Sequence, residues 1–334
     1  MEKKPLNELR QDLVSGEWVL FVTKRTHSLR KDEDKNFSQT KEECPFENLE
    51  NSDQEIIGFY PNKENHHATV IKNKFPAVRP GLCPTEQSYG PFKTFDPIGD
   101  HEVIVYKDHD KSIYKFSVEE LTSTIRVYKR RLIELAEKVE CNKYILIFHN
   151  HGRAAGASIY HPHSQIITMP ILPPDISRSI NGSFQYYQEH KKRVYSELLE
   201  WEQKERSRII YENKEFIVFC PYVSKYPYEM RIFSKESHAH FHEISEASDV
   251  LFADVIFTAL QKMKIALDSP PFNMFIHTAP IKSEFGVHTH EFYHWHMEIV
   301  PHLKIDAGVE LGTGVAINVV DPDECAETLR KAKI

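Results

Sequence analysis

Residues 161–165 read His-Pro-His-Ser-Gln. In an extended segment side chains alternate between faces, so His161, His163 and Gln165 fall on one side. Three polar groups on one face, followed by the apolar pair Ile166-Ile167, depart from ordinary strand patterning. Such a face is wet, or it holds a metal or a phosphate. Neutral imidazole is nucleophilic near neutral pH without a strong base. Its two nitrogens let one attack while the other donates a hydrogen bond that fixes the tautomer. A carboxamide on the same face can donate to a phosphate oxygen. Proline between two such histidines constrains the backbone without helping a sheet. A second H-x-H at the same spacing, His294-Trp295-His296, follows later in the chain.

The elements that must position these residues are written twice. Leu121, Ile125, Tyr128, Leu132 and Leu135 recur at helical spacing, and Ser117 with Glu120 forms a capping-box signature ahead of them, so a helix is expected over 117–140. The apolar run YILIFHN (144–150), the loop GRAAGAS and the HPHSQ segment follow. The second half repeats the order: a helix over 245–267, the apolar run FNMFIH (272–277), then HEFYHWHMEIVP (290–301). Upstream of each helix stands another strand running into histidine, EVIVYKDHD (102–110) and EMRIFSKESHAHF (229–241). The pattern implies an α+β fold made by duplication, with residues 1–184 and 185–334 each forming an antiparallel sheet and one long helix. A charged, helix-like stretch at 185–210 joins the halves, and the polar segment 28–56 reads as loop.

The chain of 334 residues is 40% hydrophobic, enough to bury two cores. A net charge of -7 argues against a general nucleic-acid binder, although local basic spots could hold a phosphorylated small molecule. The five cysteines are odd in number and widely spaced, which fits a reducing compartment better than a disulfide framework. MEKKPLNELR lacks the apolar core of a signal peptide. No apolar run approaches the ~20 residues of a membrane helix. The expectation is a cytoplasmic protein that binds neither membrane nor nucleic acid.

Over N-H-G-R-A-A-G-A-S-I-Y-H-P-H-S-Q (150–165) the chain resembles the galactose-1-phosphate uridylyltransferase family of the histidine-triad superfamily. The resemblance extends to RQDLVSGEWVLFVTKR (10–25), CPF (44–46), NKFPAV (73–78), YPYEMRIFSK (226–235), FIHTAP (275–280) and ELGTGVAIN (310–318). Several of these segments are similar to the branch containing ADP-glucose phosphorylase. The resemblance implies two histidine-triad-like units and nucleotidyl transfer through a covalent phospho-histidine. His163 would be the nucleophile and Gln165 the phosphate-orienting residue. Asn150 would hold the His163 loop, and Ser158 with the Gly156-loop amides would donate to a diphosphate. Asn73 and Phe75 would hold ribose and base. Arg10, Lys24 and Arg25 belong to a segment that contacts nucleotide, and residues 310–314 to one that contacts hexose. Donor and acceptor would be a nucleotide sugar and a hexose 1-phosphate, and a partner subunit contributes to the site, which implies a homodimer.

The resemblance also implies a structural zinc held by a C-x-x-C pair, a histidine after the next strand and the first histidine of the motif. Those positions are Cys44, Glu47, His109 and His161, with glutamate where the second cysteine stands in relatives. Carboxylate oxygen is an accepted zinc ligand, and such a harder donor set can admit another divalent ion. His101 is the alternative to His109. A second divalent metal, zinc or iron, would draw on Glu197, His240 and His277, or on His277, His294 and His296. The acidic ligand of the latter pattern falls near Ser179 and is missing, and Glu197 could replace it. Exchange between UDP-glucose and galactose 1-phosphate is the first reading of activity. ADP-glucose phosphorolysis or adenylyl transfer, a histidine-triad hydrolase, and an inactive metal- or nucleotide-binding homologue are the alternatives.

Overall fold

The computed structural model describes residues 7–23, 29, 37–138, 141, 143–281 and 288–334. Its central feature is one ten-stranded sheet whose neighbouring strands all pair antiparallel, ordered β10-β11-β12-β14-β13-β8-β9-β7-β4-β3. The order is symmetric about the β13–β8 seam. On the first-half side lie β8 (Tyr144–His151), β9 (His163–Met169), β7 (His101–Tyr106), β4 (Ala68–Lys72) and β3 (Ile56–Tyr60). On the other side β13 (Phe272–His277), β14 (His296–Pro301), β12 (Met230–Ser234), β11 (Phe216–Phe219) and β10 (Ile209–Glu212) repeat them in the same relative order. The duplicated α+β architecture is therefore present, but the two sheets are fused edge to edge. That join leaves β8 and β13 without free edges, which an isolated half would expose.

Helix α1 (Val118–Lys138) begins as its sequence requires. The Glu120 amide donates to Ser117 Oγ at 3.3 Å and the Ser117 amide to Glu120 Oε2 at 2.7 Å, closing the capping box. Its apolar stripe from Leu121 to Leu135 is buried against the sheet. Removing one such side chain, as in Leu132→Ala, costs about 2–5 kcal/mol. Helix α4 (Glu246–Leu267), capped by Ser245, packs beside α1 on the same face. Lys129 of α1 ties them, donating to the Ile244 carbonyl at 2.6 Å and to Asp249 Oδ1 at 2.8 Å.

The stretch expected as one charged helix is two, α2 (Pro174–His190) and α3 (Val194–Glu205), because Lys191 adopts φ 56° and ends the first. The division placed at 184/185 falls inside α2. A separate sheet joins β1 (Asn7–Gln11) and β2 (Trp18–Val22) to β15 (Ala316–Asn318), which brings segments from both halves into one sheet, and β5 (Gln87–Tyr89) pairs with β6 (Phe92–Thr94) in a two-stranded ribbon. The expectation of wholly reduced cysteines needs correction: Cys83 and Cys141 form a disulfide, while Cys44, Cys220 and Cys325 are free and buried. Spacing could not show this pairing, because 58 positions separate the two. Among the described residues no helix is long and apolar enough to cross a membrane.

His67, between the sheet and α1, gives this core an acid sensitivity. Its Nε2–H donates to Thr124 Oγ1 at 3.0 Å, since the Thr124 hydroxyl proton is committed to the Glu120 carbonyl. Burial pushes the imidazole down to about 4. Unfolded histidine takes up its proton near pH 6.5, so the unfolded chain binds more protons than the folded one between these values. Stability is therefore complete above about pH 6.5 and falls as pH drops towards 4, by on the order of 2–3 kcal/mol for this group. Denaturant unfolding across that range is expected to show the slope, and His67→Gln to make it shallower. An unchanged slope would remove His67 as its source.

Candidate active site

β9 starts at His163, so strand alternation places His163, Gln165 and Ile167 on one face and Ser164 and Ile166 on the other. Ser164 turns to the helix side, where its hydroxyl meets those of Tyr106 (2.7 Å) and Tyr128 (2.6 Å) and His149 Nδ1 (3.0 Å). His163 and Gln165 lie opposite Val105 and Val103 of β7, on the face away from α1 and α4. His161 stands just before the strand, at a bend two residues ahead of His163.

The His163 ring is oriented by the backbone. Its Nδ1–H donates to the His161 carbonyl at 2.9 Å, so Nε2 carries the lone pair. Burial pushes the imidazole below the usual histidine range, outweighing the pull of that carbonyl, and keeps it neutral. Phe46 packs edge-on against it at 5.3 Å between ring centroids. The result is a neutral imidazole with one nitrogen fixed as donor and the other available to attack.

Gln165 is oriented by a residue to which sequence reasoning gave another role. The Ala77 amide donates to His101 Nδ1 at 3.2 Å, so His101 carries its proton on Nε2. That nitrogen lies 2.9 Å from Gln165 Oε1 and 3.2 Å from Asn73 Nδ2, and its one N–H goes to the oxygen, since the Asn73 NH2 group can only donate. With its oxygen occupied, the carboxamide presents its NH2 group as donor. Asn73, whose amide donates to the His101 carbonyl at 2.9 Å, anchors the NKFPAV segment to the same histidine. Phe75 on that segment is 84% exposed, an aromatic ring with a free face. His101 therefore joins the segment expected to bind the base to the amide expected to bind phosphate.

One cavity is lined by His163, His161, Asn150, His109 and the 152–157 loop, and Lys115, His151 and Tyr160 also face it. Ser269 and Pro271 bring a wall from the second half. Composition and motif offered no signal for these contributors. The loop needs its glycines, since Gly152 and Gly156 have φ 84° and 86°. Its amides at Ala155, Gly156 and Ala157 bond within the turn, so they are not the free phosphate donors expected of them. Ser158 is exposed beside it.

Next to the cavity, Cys44, His109 and His161 each bring one ligand atom within 4.8 Å of the others, and Cys44 Sγ lies 3.5 Å from His161 Nδ1. Glu47 Oε1 is 3.1 Å from His109 Nδ1 and 3.6 Å from His161 Nδ1. Each imidazole turns Nδ1 inward because Nε2 is held by a backbone carbonyl, that of Gln39 at 2.8 Å for His109 and that of Tyr106 at 2.6 Å for His161. The Phe46 amide donates to Cys44 Sγ at 3.4 Å. His109 Nδ1 is buried with no hydrogen-bond partner. A sulfur, a carboxylate and two outer-sphere-fixed imidazoles make a donor set that fits a tetrahedral divalent ion.

A second cluster joins His277, His296 and Glu298. His277 and His296 face each other across β13 and β14, and Glu298 Oε1 is 3.5 Å from His296 Nε2. Glu298 was not anticipated, although it stands two residues beyond His296 as Gln165 does beyond His163. Burial pushes its carboxyl up, but the Arg231 guanidinium at 3.0 Å outweighs this and holds it well below the usual range. The other expected members are elsewhere. Glu197 is on α3, paired with Lys192 at 2.8 Å. His240 caps a 3-10 turn near His242 and His290. His294 is buried, with Nε2 3.0 Å from Ser234 Oγ and Nδ1 3.5 Å from Ser237 Oγ.

The structure does not bring Arg10 to the cavity. It is stacked between Phe21 (4.2 Å) and Tyr222 (4.1 Å) and donates to the Tyr222 carbonyl and to Glu8. A guanidinium there is a packing element of the β1–β2 sheet. Arg25 and Lys24 lie outside the described residues. Helix α5 (Gly308–Thr313), on the segment expected to contact hexose, is exposed and is not among the residues lining the His163 cavity of its own chain.

The family described as galactose-1-phosphate uridyl transferase matches through its N-terminal domain over residues 1–173 and its C-terminal domain over residues 180–317. This chain belongs to that family. An ADP-glucose phosphorylase of Arabidopsis thaliana is 30% identical over 98% of this chain and 93% of its own. A galactose-1-phosphate uridylyltransferase of Thermotoga maritima is 30% identical over 98% and 99%. The crystal structure of an Arabidopsis thaliana ADP-glucose phosphorylase with bound ADP-glucose superposes with TM-score 0.83 at 28% identity, covering 98% of this chain and 99% of that one. The uridylyltransferase-family chain is a nucleotidyltransferase.

The metal corner makes a direct prediction. Cys44→Ser and Glu47→Ala are each expected to lower divalent metal in the purified protein by elemental analysis, with affinity at least about tenfold weaker. Glu47→Cys is expected to slow loss of metal to a chelator. Unchanged metal content in both deletions would disprove this donor set.

Proposed function

We propose that this uridylyltransferase-family protein moves a nucleoside monophosphate between a nucleotide sugar and a hexose 1-phosphate through a covalent nucleotidyl-His163. The observation that carries the reading is the His163 ring itself, with Nδ1–H bound to the His161 carbonyl and Nε2 bare in the cavity. Nε2 attacks the α-phosphorus, the bond from that phosphorus to the bridging oxygen breaks, and sugar 1-phosphate leaves with the bridging oxygen. A phosphate oxygen of a second sugar 1-phosphate then attacks the same phosphorus, and the P–N bond breaks to restore neutral imidazole. The Gln165 NH2 group donates to a non-bridging oxygen where charge builds up. Loss of one such donor costs roughly 10²–10³ in rate.

The donor is UDP-glucose and the acceptor galactose 1-phosphate, in line with both family matches. A second reading, transfer of AMP from ADP-glucose to orthophosphate, is favoured by the close superposition on the ADP-glucose-bound relative. Cys44, Glu47, His109 and His161 hold a divalent ion, zinc first. It cross-links the 39–47 loop to the motif and so supports the His161 backbone. The exposed Leu9, Leu13, Trp18 and Trp201 offer an apolar surface for the homodimer, which light scattering would detect.

Intact-protein mass spectrometry after brief incubation with equal UDP-glucose and ADP-glucose and no acceptor tests the proposal. A UMP adduct supports uridylyl transfer, and an AMP adduct moves the activity to the second reading. His163→Ala should abolish either adduct while leaving the unfolding transition in place. An adduct retained in that variant would refute His163 as the nucleophile.

A further inference from the structure

We infer that Asn273, contributed by the second half, is a positioning residue for nucleotidyl transfer in the first half, because it fixes which end of the Asn150 carboxamide faces the cavity. The inference rests on the reading of the His163 cavity as the transfer site and adds to it a residue from the other half of the duplication.

The direction of each amide follows from what its neighbours can do. The Ala155 carbonyl can only accept a hydrogen bond. The end of Asn273 that lies 2.8 Å from it is therefore the NH2 group. The Asn273 oxygen then faces His302 Nε2, which must carry the proton. His302 is itself anchored, its amide donating to the Pro271 carbonyl at 2.8 Å. The second proton of the Asn273 NH2 group goes to Asn150 at 2.7 Å, so the atom of Asn150 facing the second half is its oxygen. The Asn150 NH2 group is left on the opposite end. It lies beside the left-handed Gly156, where a Cβ would sit 3.9 Å from Asn150 Nδ2.

Asn273 and Asn150 are cross-strand partners at the β13–β8 seam, so this contact is built into the register that fuses the halves. Asn150 lines the cavity with His163. A carboxamide held only at Cβ can turn over. Its oxygen would then face an anionic phosphate, and a donor would become a repelling lone pair. Asn273 prevents that turn and pins the Ala155 carbonyl of the loop with the same NH2 group.

A double-mutant cycle on the intact protein tests the inference, read as the rate of nucleotidyl adduct formation by mass spectrometry with UDP-glucose and ADP-glucose as donors. Asn273→Ala is expected to slow the adduct at least about tenfold. Asn273→Asp should slow it further: its carboxylate cannot donate to Ala155 and draws the Asn150 NH2 group towards itself. In an Asn150→Ala background Asn273→Ala should add less than about twofold, because its effect passes through Asn150. Metal content and the unfolding midpoint are measured on every variant, and Asn273→Ser replaces the alanine if that chain does not fold. Losses that multiply in the double variant would overturn the positioning role. An adduct absent from the wild-type protein itself would instead overturn the transfer reading, and with it the role given to Asn273.

Discussion

The hydrogen bond from His163 Nδ1 to the carbonyl of His161 is the constraint on which the rest of the site depends. It ties a side chain to the backbone two residues earlier, so it exists only if the chain at 161–163 holds one shape. Pro162 narrows that shape from within. The ring of His161 holds it from outside, with Nε2 on the Tyr106 carbonyl and Nδ1 towards Cys44 and Glu47. One residue thus links the proposed metal corner to the proposed nucleophile. The backbone shapes the proposed nucleophile, and an ion in the proposed metal corner would brace the backbone.

Around that bond the site is a set of amides and rings whose directions are settled by committed partners. The His101 proton is placed by the Ala77 amide and in turn places the Gln165 oxygen. The Ala155 carbonyl places Asn273, which places Asn150. Preorganised donors of this kind need little rearrangement as charge develops on phosphate, which is where electrostatic catalysis has its advantage. The second half repeats the central bond, with His296 Nδ1 3.3 Å from the His294 carbonyl. Its Gln165 counterpart is Glu298, held as a carboxylate by Arg231. A carboxylate in that place repels phosphate. The duplication has kept one half suited to nucleotidyl transfer and turned the other to support, through the seam strand β13 and its Asn273.

Much of this was legible locally. Ser117 and Glu120 announced α1, the two apolar runs announced β8 and β13, and HPHSQ carried the family. These signals depend on neighbours within a few positions, and the structure keeps them. What escaped the sequence depends on partners far along the chain. Arg10 reads as a free cation until Phe21 and Tyr222 enclose it. Cys83 reads as a lone thiol until the fold sets it beside Cys141. Glu197 reads as the acidic ligand because Val194–Glu197 stands where relatives carry a second C-x-x-C, whereas the carboxylate beside the histidines is Glu298, a local signal two residues beyond His296 on the same face of β14. The fusion of two sheets at β8 and β13 also has no local mark, since both runs are simply apolar.

The account stands most directly on which nitrogen bears the nucleotide. Stable adduct made with the donor that labels the wild-type protein can be examined by phosphorus-31 NMR with nitrogen-15 histidine, which distinguishes a P–N bond at Nε2 from one at Nδ1. Phosphorus on Nε2 of His163 is the predicted result, because Nδ1 is spent on the His161 carbonyl. Phosphorus on Nδ1, or on another histidine of the cavity such as His151, would contradict it.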